Sequence, residues 1–357
     1  MKETIPKTML AARLFGPGDI RVVEQPVPEI QENEVLLKVQ AAAICGSDLR
    51  MIANGYQGVD QDHPLTLGHE FAGVIVKTGA AVTGYPVGTY VSVAPNMGCG
   101  SCEYCAKGDT HLCSKYQAFG ISIDGAFAEY VRIPAAAISQ GNLVILDPSV
   151  PPETAALLEP FSCVLNGQMN TGVHLNDNVL LVGAGPIGVM HGFLARILGA
   201  GTVYVSDLSA DRMERCTQLV SHCVAIHGDM KEAVMEATGG QGVDLCIVAC
   251  PSPEIQAQSL SLMKMNGRIL YFGGLPAGKD QVTLPTNLIH YKQLTIHGST
   301  RANVCHYRES VKLLTDGKLP LERLITGRFP LRQFADAVAH AKSPQSLKTV
   351  ITFTETP

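Results

Sequence analysis

Four cysteines, Cys99, Cys102, Cys105 and Cys113, stand at Cys-x2-Cys-x2-Cys-x7-Cys spacing in a loop rich in glycine and polar residues. Four thiolates this close suit a closed tetrahedral zinc site, and with every position filled by protein such a site is structural. An iron–sulfur cluster takes four cysteines as well, and four unligated core thiols are the plain alternative. A second group is dispersed: Cys45-Gly46-Ser47-Asp48 follows one apolar run and Gly68-His69-Glu70 precedes another. Together they offer a thiolate, an imidazole and a carboxylate, three ligands that leave a position open on zinc for substrate. Taken singly, a cysteine or histidine is more often packed than ligating. The third constellation is Gly183-Ala184-Gly185-Pro186-Ile187-Gly188, at G-x-G-x-x-G spacing. Gly183 permits a tight turn, Gly185 lets the backbone approach a pyrophosphate, and Gly188 lets a helix pack on the preceding strand. Asp207 ends the next apolar run about twenty residues on, where a carboxylate accepts from an adenosine ribose.

These residues need elements to hold them. Residues 179–182 are a short apolar run fit for a buried strand, and an apolar helical pattern continues from 186 to 198. Strands are expected at 203–206, 224–227, 245–249, 268–272 and 294–297, with helical patterns at 211–220, 230–237 and 255–265. Alternating strand and helix with short glycine-rich joins predicts an α/β domain built on a doubly wound parallel sheet. The first half instead carries β-rich runs at 34–40, 71–77 and 89–94, bounded by Gly, Pro or Asn. That predicts a compact β-domain whose long loops carry the chemistry. After 298 come two amphipathic helices, near 307–314 and 333–341, and a closing strand at 348–353.

Composition narrows the classes. A chain of 357 residues should form two domains, and 46% hydrophobic with 17% charged residues fits a globular protein with a sizeable core. A net charge of −5 argues against a nucleic-acid partner. No apolar run approaches the ~20 residues of a membrane span. The opening stretch, MKETIPKTML, lacks a signal peptide's apolar core. Eleven cysteines in a chain this long point to a cytoplasmic metalloprotein rather than a secreted disulfide scaffold. Cys163, Cys216, Cys223, Cys246, Cys250 and Cys305 mostly fall on apolar patterns and are expected as buried free thiols. Met263 and Met265 close a helical pattern and are expected as core packing.

Five landmarks in order, Cys45-Gly-Ser-Asp48, Gly68-His-Glu70, the four-cysteine loop, Glu159-Pro160 and Gly183 to Gly188, give the whole chain its family likeness. It resembles the zinc-dependent medium-chain alcohol and polyol dehydrogenases, in the branch of sorbitol (L-iditol) and threonine dehydrogenases. The resemblance implies a GroES-like catalytic domain over 1–157 and 299–357, and a Rossmann NAD-binding domain over 158–298. It implies two zinc ions per chain. The catalytic one is held by Cys45 and His69, with Glu70 and Glu159 as candidates for the third place; the structural one is held by the four-cysteine loop. Ser47 would take the substrate proton. Many relatives carry a relay histidine where this chain has Arg50, and a guanidinium cannot act as that base.

The resemblance further implies NAD as cofactor, bound by Gly183, Gly185, Pro186, Ile187, Gly188, Asp207, Arg212, Gly274, Leu275, Thr300 and Arg301. The substrate would be a small polyol near Arg50 and Arg301, and the assembly a homodimer or homotetramer. Polyol-phosphate and threonine-type dehydrogenases are the alternatives within the family. A catalytically silent NAD-binding protein, or a zinc ribbon serving binding alone, are the alternatives outside it.

Overall fold

A computed structural model describes residues 4–353, so the domain limits at 1 and 357 and the first three residues of MKETIPKTML lie outside the described residues. The chain divides into two compact units. One runs through Ser162 and resumes at Ala302; the other is Cys163–Arg301. The expectation from sequence placed these divisions at 157/158 and 298/299.

The first unit is β-rich. Its main sheet runs Leu143–Ile145, Tyr90–Val93, Glu70–Thr78, Val35–Ala43, Lys348–Thr352 and Ile325–Pro330, with Tyr130–Ile133 also paired to Val35–Ala43. A three-stranded sheet adds Asp19–Pro26, Thr8–Gly16 and Leu65–Thr66. Leu37, Val39, Phe71, Ile75, Val91, Phe119 and Phe127 fill the core between them. The closing strand is the informative one. Its Val350 and the distant Glu70 both pair with Ala43, one on each side of the central strand. Strands far apart in the sequence therefore meet at the same end of Val35–Ala43.

In the second unit six parallel strands lie in the order Cys223–Ala225, Val203–Ser206, Val179–Val182, Val243–Val248, Met263–Tyr271 and Thr295–Gly298. This is the doubly wound order that places a ligand crevice where the winding reverses, beside Val179–Val182. All four residues of that central strand are buried, which is why it reads as continuous rather than alternating.

Three expectations are corrected. The helix expected over 255–265 ends early: it spans Pro253–Ser259, turns through Leu260–Leu262, and gives way to the strand Met263–Tyr271. Ser252 caps its start by accepting from the Ile255 amide at 3.2 Å. The apolar residues that follow fit a helix end and a strand start equally well. Met263 is fully buried, but Met265 is 63% exposed and packs no core. Among the six remaining cysteines, Cys216 and Cys246 are buried and Cys163, Cys223 and Cys250 half-buried, whereas Cys305 is exposed on the first turn of the helix Val304–Thr315.

Candidate functional site

Cys45 is the N-cap of the helix Gly46–Asn54, just beyond the strand Val35–Ala43. His69 stands immediately before the strand Glu70–Thr78. Because Ala43 faces Glu70 across the antiparallel ladder, both loops open at the same end of the sheet. Ligand atoms of Cys45, His69 and Glu70 all lie within 4.8 Å of one another. Asp48, one helical turn on, organises this group: one oxygen accepts the Cys45 amide at 2.8 Å, and the other stands 3.5 Å from His69 Nδ1. With Nδ1 turned to the carboxylate, Nε2 is the nitrogen left for a metal. A thiolate, an imidazole oriented by a carboxylate, and a further carboxylate make a donor set that fits zinc with one position open.

Burial opposes protonation of His69, but the neighbouring Asp48 carboxylate and the Cys45 sulfur outweigh it and hold the ring well above its ordinary value of 6.5. In the metal-free chain this contribution to stability is fully present below the ordinary value and lost as pH rises through the raised one. Zinc must displace that proton. Uptake at this site should therefore release protons and weaken as pH falls, a dependence that calorimetry in buffers of different ionisation enthalpy would detect. Zinc affinity unchanged between pH 8 and pH 6 would contradict it.

Sequence reasoning missed Lys348. Its ammonium donates to both Glu70 oxygens, at 2.7 and 2.5 Å, and to the Ile44 carbonyl at 3.3 Å. Lysine and glutamate are 4% and 0% exposed. Glu159, in the first turn of the helix Leu158–Thr171, is buried at 7% exposure. It falls outside the group of three ligand atoms. Its charge is felt by both Lys348 and Tyr307, so it lies near that group. Ser47 Oγ lies 3.4 Å from His69 Nε2, inside the site, while Arg50 is exposed on the same helix.

The four-cysteine loop closes on itself. Sulfurs of Cys99, Cys102, Cys105 and Cys113 all lie within 4.8 Å of one another, and Cys102 and Cys105 are 3.5 Å apart. Zinc–sulfur bonds of about 2.3 Å at tetrahedral angles require sulfurs about 3.8 Å apart, so the loop fits that ion. Donors from Ser101, with the Cys102 amide and the Cys113 thiol, pull the Cys99 thiol down to about 6, towards the thiolate a metal needs.

In the second unit the glycine turn matches the steric roles read from its spacing. Gly183 has φ +111°, a conformation that side chains avoid. A Cβ on Gly188 would sit 1.8 Å from the Gly183 carbonyl oxygen, so only glycine lets the helix Pro186–Ile197 start there. Gly185 has nothing within 4 Å of its Cβ position, leaving room for a pyrophosphate at the helix start. Pro186 and Ile187 open that helix. Asp207 follows the strand Val203–Ser206 and accepts the Ala184 amide at 2.7 Å and the Ser209 amide at 2.9 Å. Its carboxylate is thus fixed against the glycine turn with lone pairs remaining for a ribose. Arg212 lies half-buried on the next helix, Ala210–Leu219. Gly274 and Leu275 follow the strand Met263–Tyr271.

Thr300 and Arg301 follow the strand Thr295–Gly298, and a second residue unnoticed in the sequence holds them. Buried Asn166 donates to the Thr300 and Arg301 carbonyls at 3.3 and 2.9 Å, with Arg301 at φ +54°. Arg50 and Arg301 belong to different compact units.

Two family models match: "Alcohol dehydrogenase GroES-like domain" over residues 31–142, and "Zinc-binding dehydrogenase" over residues 186–316. Sorbitol dehydrogenase of Bacillus subtilis is 32% identical over 96% of this chain and 96% of its own. L-threonine 3-dehydrogenase of Pyrococcus horikoshii is 35% identical over 90% of this chain and 91% of its own. A Sinorhizobium meliloti 1021 protein solved with NADP superposes with a TM-score of 0.88, at 29% identity over 97% of this chain and 100% of that one. Among the described residues no helix is long and apolar enough to cross a membrane.

Proposed function

The chain belongs to the zinc-binding dehydrogenases with an alcohol-dehydrogenase GroES-like domain, and we propose that it oxidises a secondary alcohol of a polyol with NAD. The observation that carries this reading is the meeting of Cys45, His69 and Glu70 within 4.8 Å, with Ser47 beside the histidine. We assign Cys45, His69 and Glu70 as the catalytic ligands, with Glu159 waiting behind them, and the four-cysteine loop as the structural site. Zinc, when bound, supplies the Lewis acidity that brings an alcohol's pKa towards neutrality. Asp48 fixes the imidazole that holds it, and Ser47 takes the alcohol proton and hands it to water. A guanidinium is no general base, so Arg50 is no part of that relay. In this reading residues 158–298 form the cofactor domain and the remainder the catalytic domain. The protein is a cytoplasmic homodimer or homotetramer.

Asp207 supports NAD over NADP, since a carboxylate held against the glycine turn accepts from a ribose 2′-hydroxyl and repels a 2′-phosphate. The expected preference in kcat/KM is on the order of a hundredfold, and Asp207→Ala should narrow it to within about tenfold. Wild-type efficiencies equal for the two cofactors would overturn this assignment; Arg212, on the next helix, is the residue that would then accept the phosphate.

For the substrate, Arg301 and an exposed Arg50 support a neutral polyol. Two arginines converging on one molecule would suit a polyol phosphate better. A panel of polyols, polyol phosphates and amino alcohols followed by NADH formation decides between them. A sorbitol-like polyol should be oxidised, with Arg50→Ala changing kcat/KM by less than about threefold. Exclusive use of the phosphate, lost on removing Arg50, would replace this reading. Exclusive use of threonine would favour the amino-alcohol branch.

A further inference from the structure

Six residues separate two cysteines that the dehydrogenase chemistry does not use, Cys216 and Cys223. Cys216 lies near the end of the helix Ala210–Leu219, and Cys223 opens the strand Cys223–Ala225. The link between them is short and fixed at both ends. The Val220 amide closes the helix on the Cys216 carbonyl at 2.9 Å, and the Val220 side chain is buried in contact range of Gly192 on the neighbouring helix. His222 then adopts φ +53°, a left-handed residue that reverses the chain. Cys223 enters the sheet opposite Val203. This turn brings the start of the strand back beside the end of the helix, where each thiol shifts the other's ionisation. Cys216 is fully buried, whereas Cys223 is half-exposed.

We propose that Cys216 and Cys223 form a reversible dithiol/disulfide site, oxidised by a peroxide-class oxidant that reaches Cys223 first. Three features divide the roles. Cys223 is the one solvent reaches. The neighbouring Cys216 thiol holds it below the ordinary 9.0, which enriches the nucleophilic thiolate. Cys216 is pushed up by the neighbouring Cys223, by burial and by the nearby Asp207 carboxylate, so it waits as a protonated resolving thiol.

In the first step the Cys223 thiolate attacks one peroxide oxygen. The O–O bond breaks, Cys223 becomes a sulfenic acid, and the departing hydroxide takes up a proton as water. In the second the Cys216 sulfur attacks Cys223 Sγ, the S–O bond breaks, and the Cys216 proton leaves with the hydroxide as a second water. Two thiols lose two electrons and the peroxide gains them. A dithiol reductant reverses the change by exchange.

The test is simple because trypsin cuts after Arg215 and Lys231, so both cysteines fall on one peptide, 216–231. The zinc-loaded full chain is treated with hydrogen peroxide, alkylated and digested. In wild type this peptide should appear unalkylated and about 2 Da lighter, and dithiothreitol before alkylation should return the doubly alkylated form. Cys216→Ala should abolish the light form and leave Cys223 trapped by a sulfenate reagent. Cys223→Ser, at the half-exposed position, should leave Cys216 fully alkylatable and guards against a core variant that fails to fold. The proposal is overturned if the wild-type peptide stays doubly alkylated while other cysteines oxidise. It is overturned equally if Cys223 is found joined to another peptide, or if Cys223→Ser leaves Cys216 as readily oxidised as before.

Discussion

Cys45→Ser should lower kcat by at least about a thousandfold while the chain still folds and still binds NADH. Metal-supplied charge stabilisation amounts to several kcal/mol, and each 1.36 kcal/mol is a factor of ten in rate. Serine replaces a soft thiolate by a hydroxyl that stays protonated at neutral pH, so the proposed ligand set of Cys45, His69 and Glu70 loses its strongest donor. The substitution is nearly isosteric, and the N-cap of the helix Gly46–Asn54 is kept, because serine is itself a preferred cap. The glycine turn and Asp207 are untouched, which is why NADH binding survives. Turnover within a factor of a few of wild type, measured by NADH formation at saturating polyol, would remove Cys45 from the site.

The largest expected effect on stability is at Lys348. Lysine and Glu70 are both almost wholly buried, and the ammonium serves both carboxylate oxygens. Removing one member of such a pair strands an uncompensated buried charge, at a cost of about 3–5 kcal/mol. Lys348→Met should impose that cost in the metal-free chain, read by urea unfolding of the β-rich unit. Added zinc should recover part of it, since the stranded carboxylate then meets a cation. Lys348→Met combined with Glu70→Gln should cost markedly less than Lys348→Met alone. A single substitution costing less than about 1 kcal/mol would show that the pair contributes little.

How much of this was legible in the sequence depends on how local the signal is. The turn at Gly183 to Gly188 was legible because each glycine answers a backbone constraint within six residues: a positive φ, an open approach and a 1.8 Å clash. The four-cysteine loop is likewise local. Cys45, His69 and Glu70 were legible only as fragments, since the ladder that pairs Ala43 with Glu70 is what brings them together. Lys348 was illegible. It lies 278 residues from Glu70, in a strand that reads as ordinary closing structure, and only the sheet order places it there. Asn166 and the carbonyls it holds are over 130 residues apart for the same reason. Met265 misled because an apolar run that leaves a helix for a strand has no period long enough to reveal the change. Asp48 was in plain view, yet nothing in its own motif tells that its second oxygen faces an imidazole.

Zinc per chain, measured by elemental analysis of the purified protein and its variants, tests the central claim most directly. Two clusters of ligand atoms predict two zinc ions in wild type. Cys45→Ser should hold one and remain inactive, and Cys99→Ser should also hold one, with lower thermal stability. One zinc or none in active wild-type protein, or two in Cys45→Ser, would contradict the account.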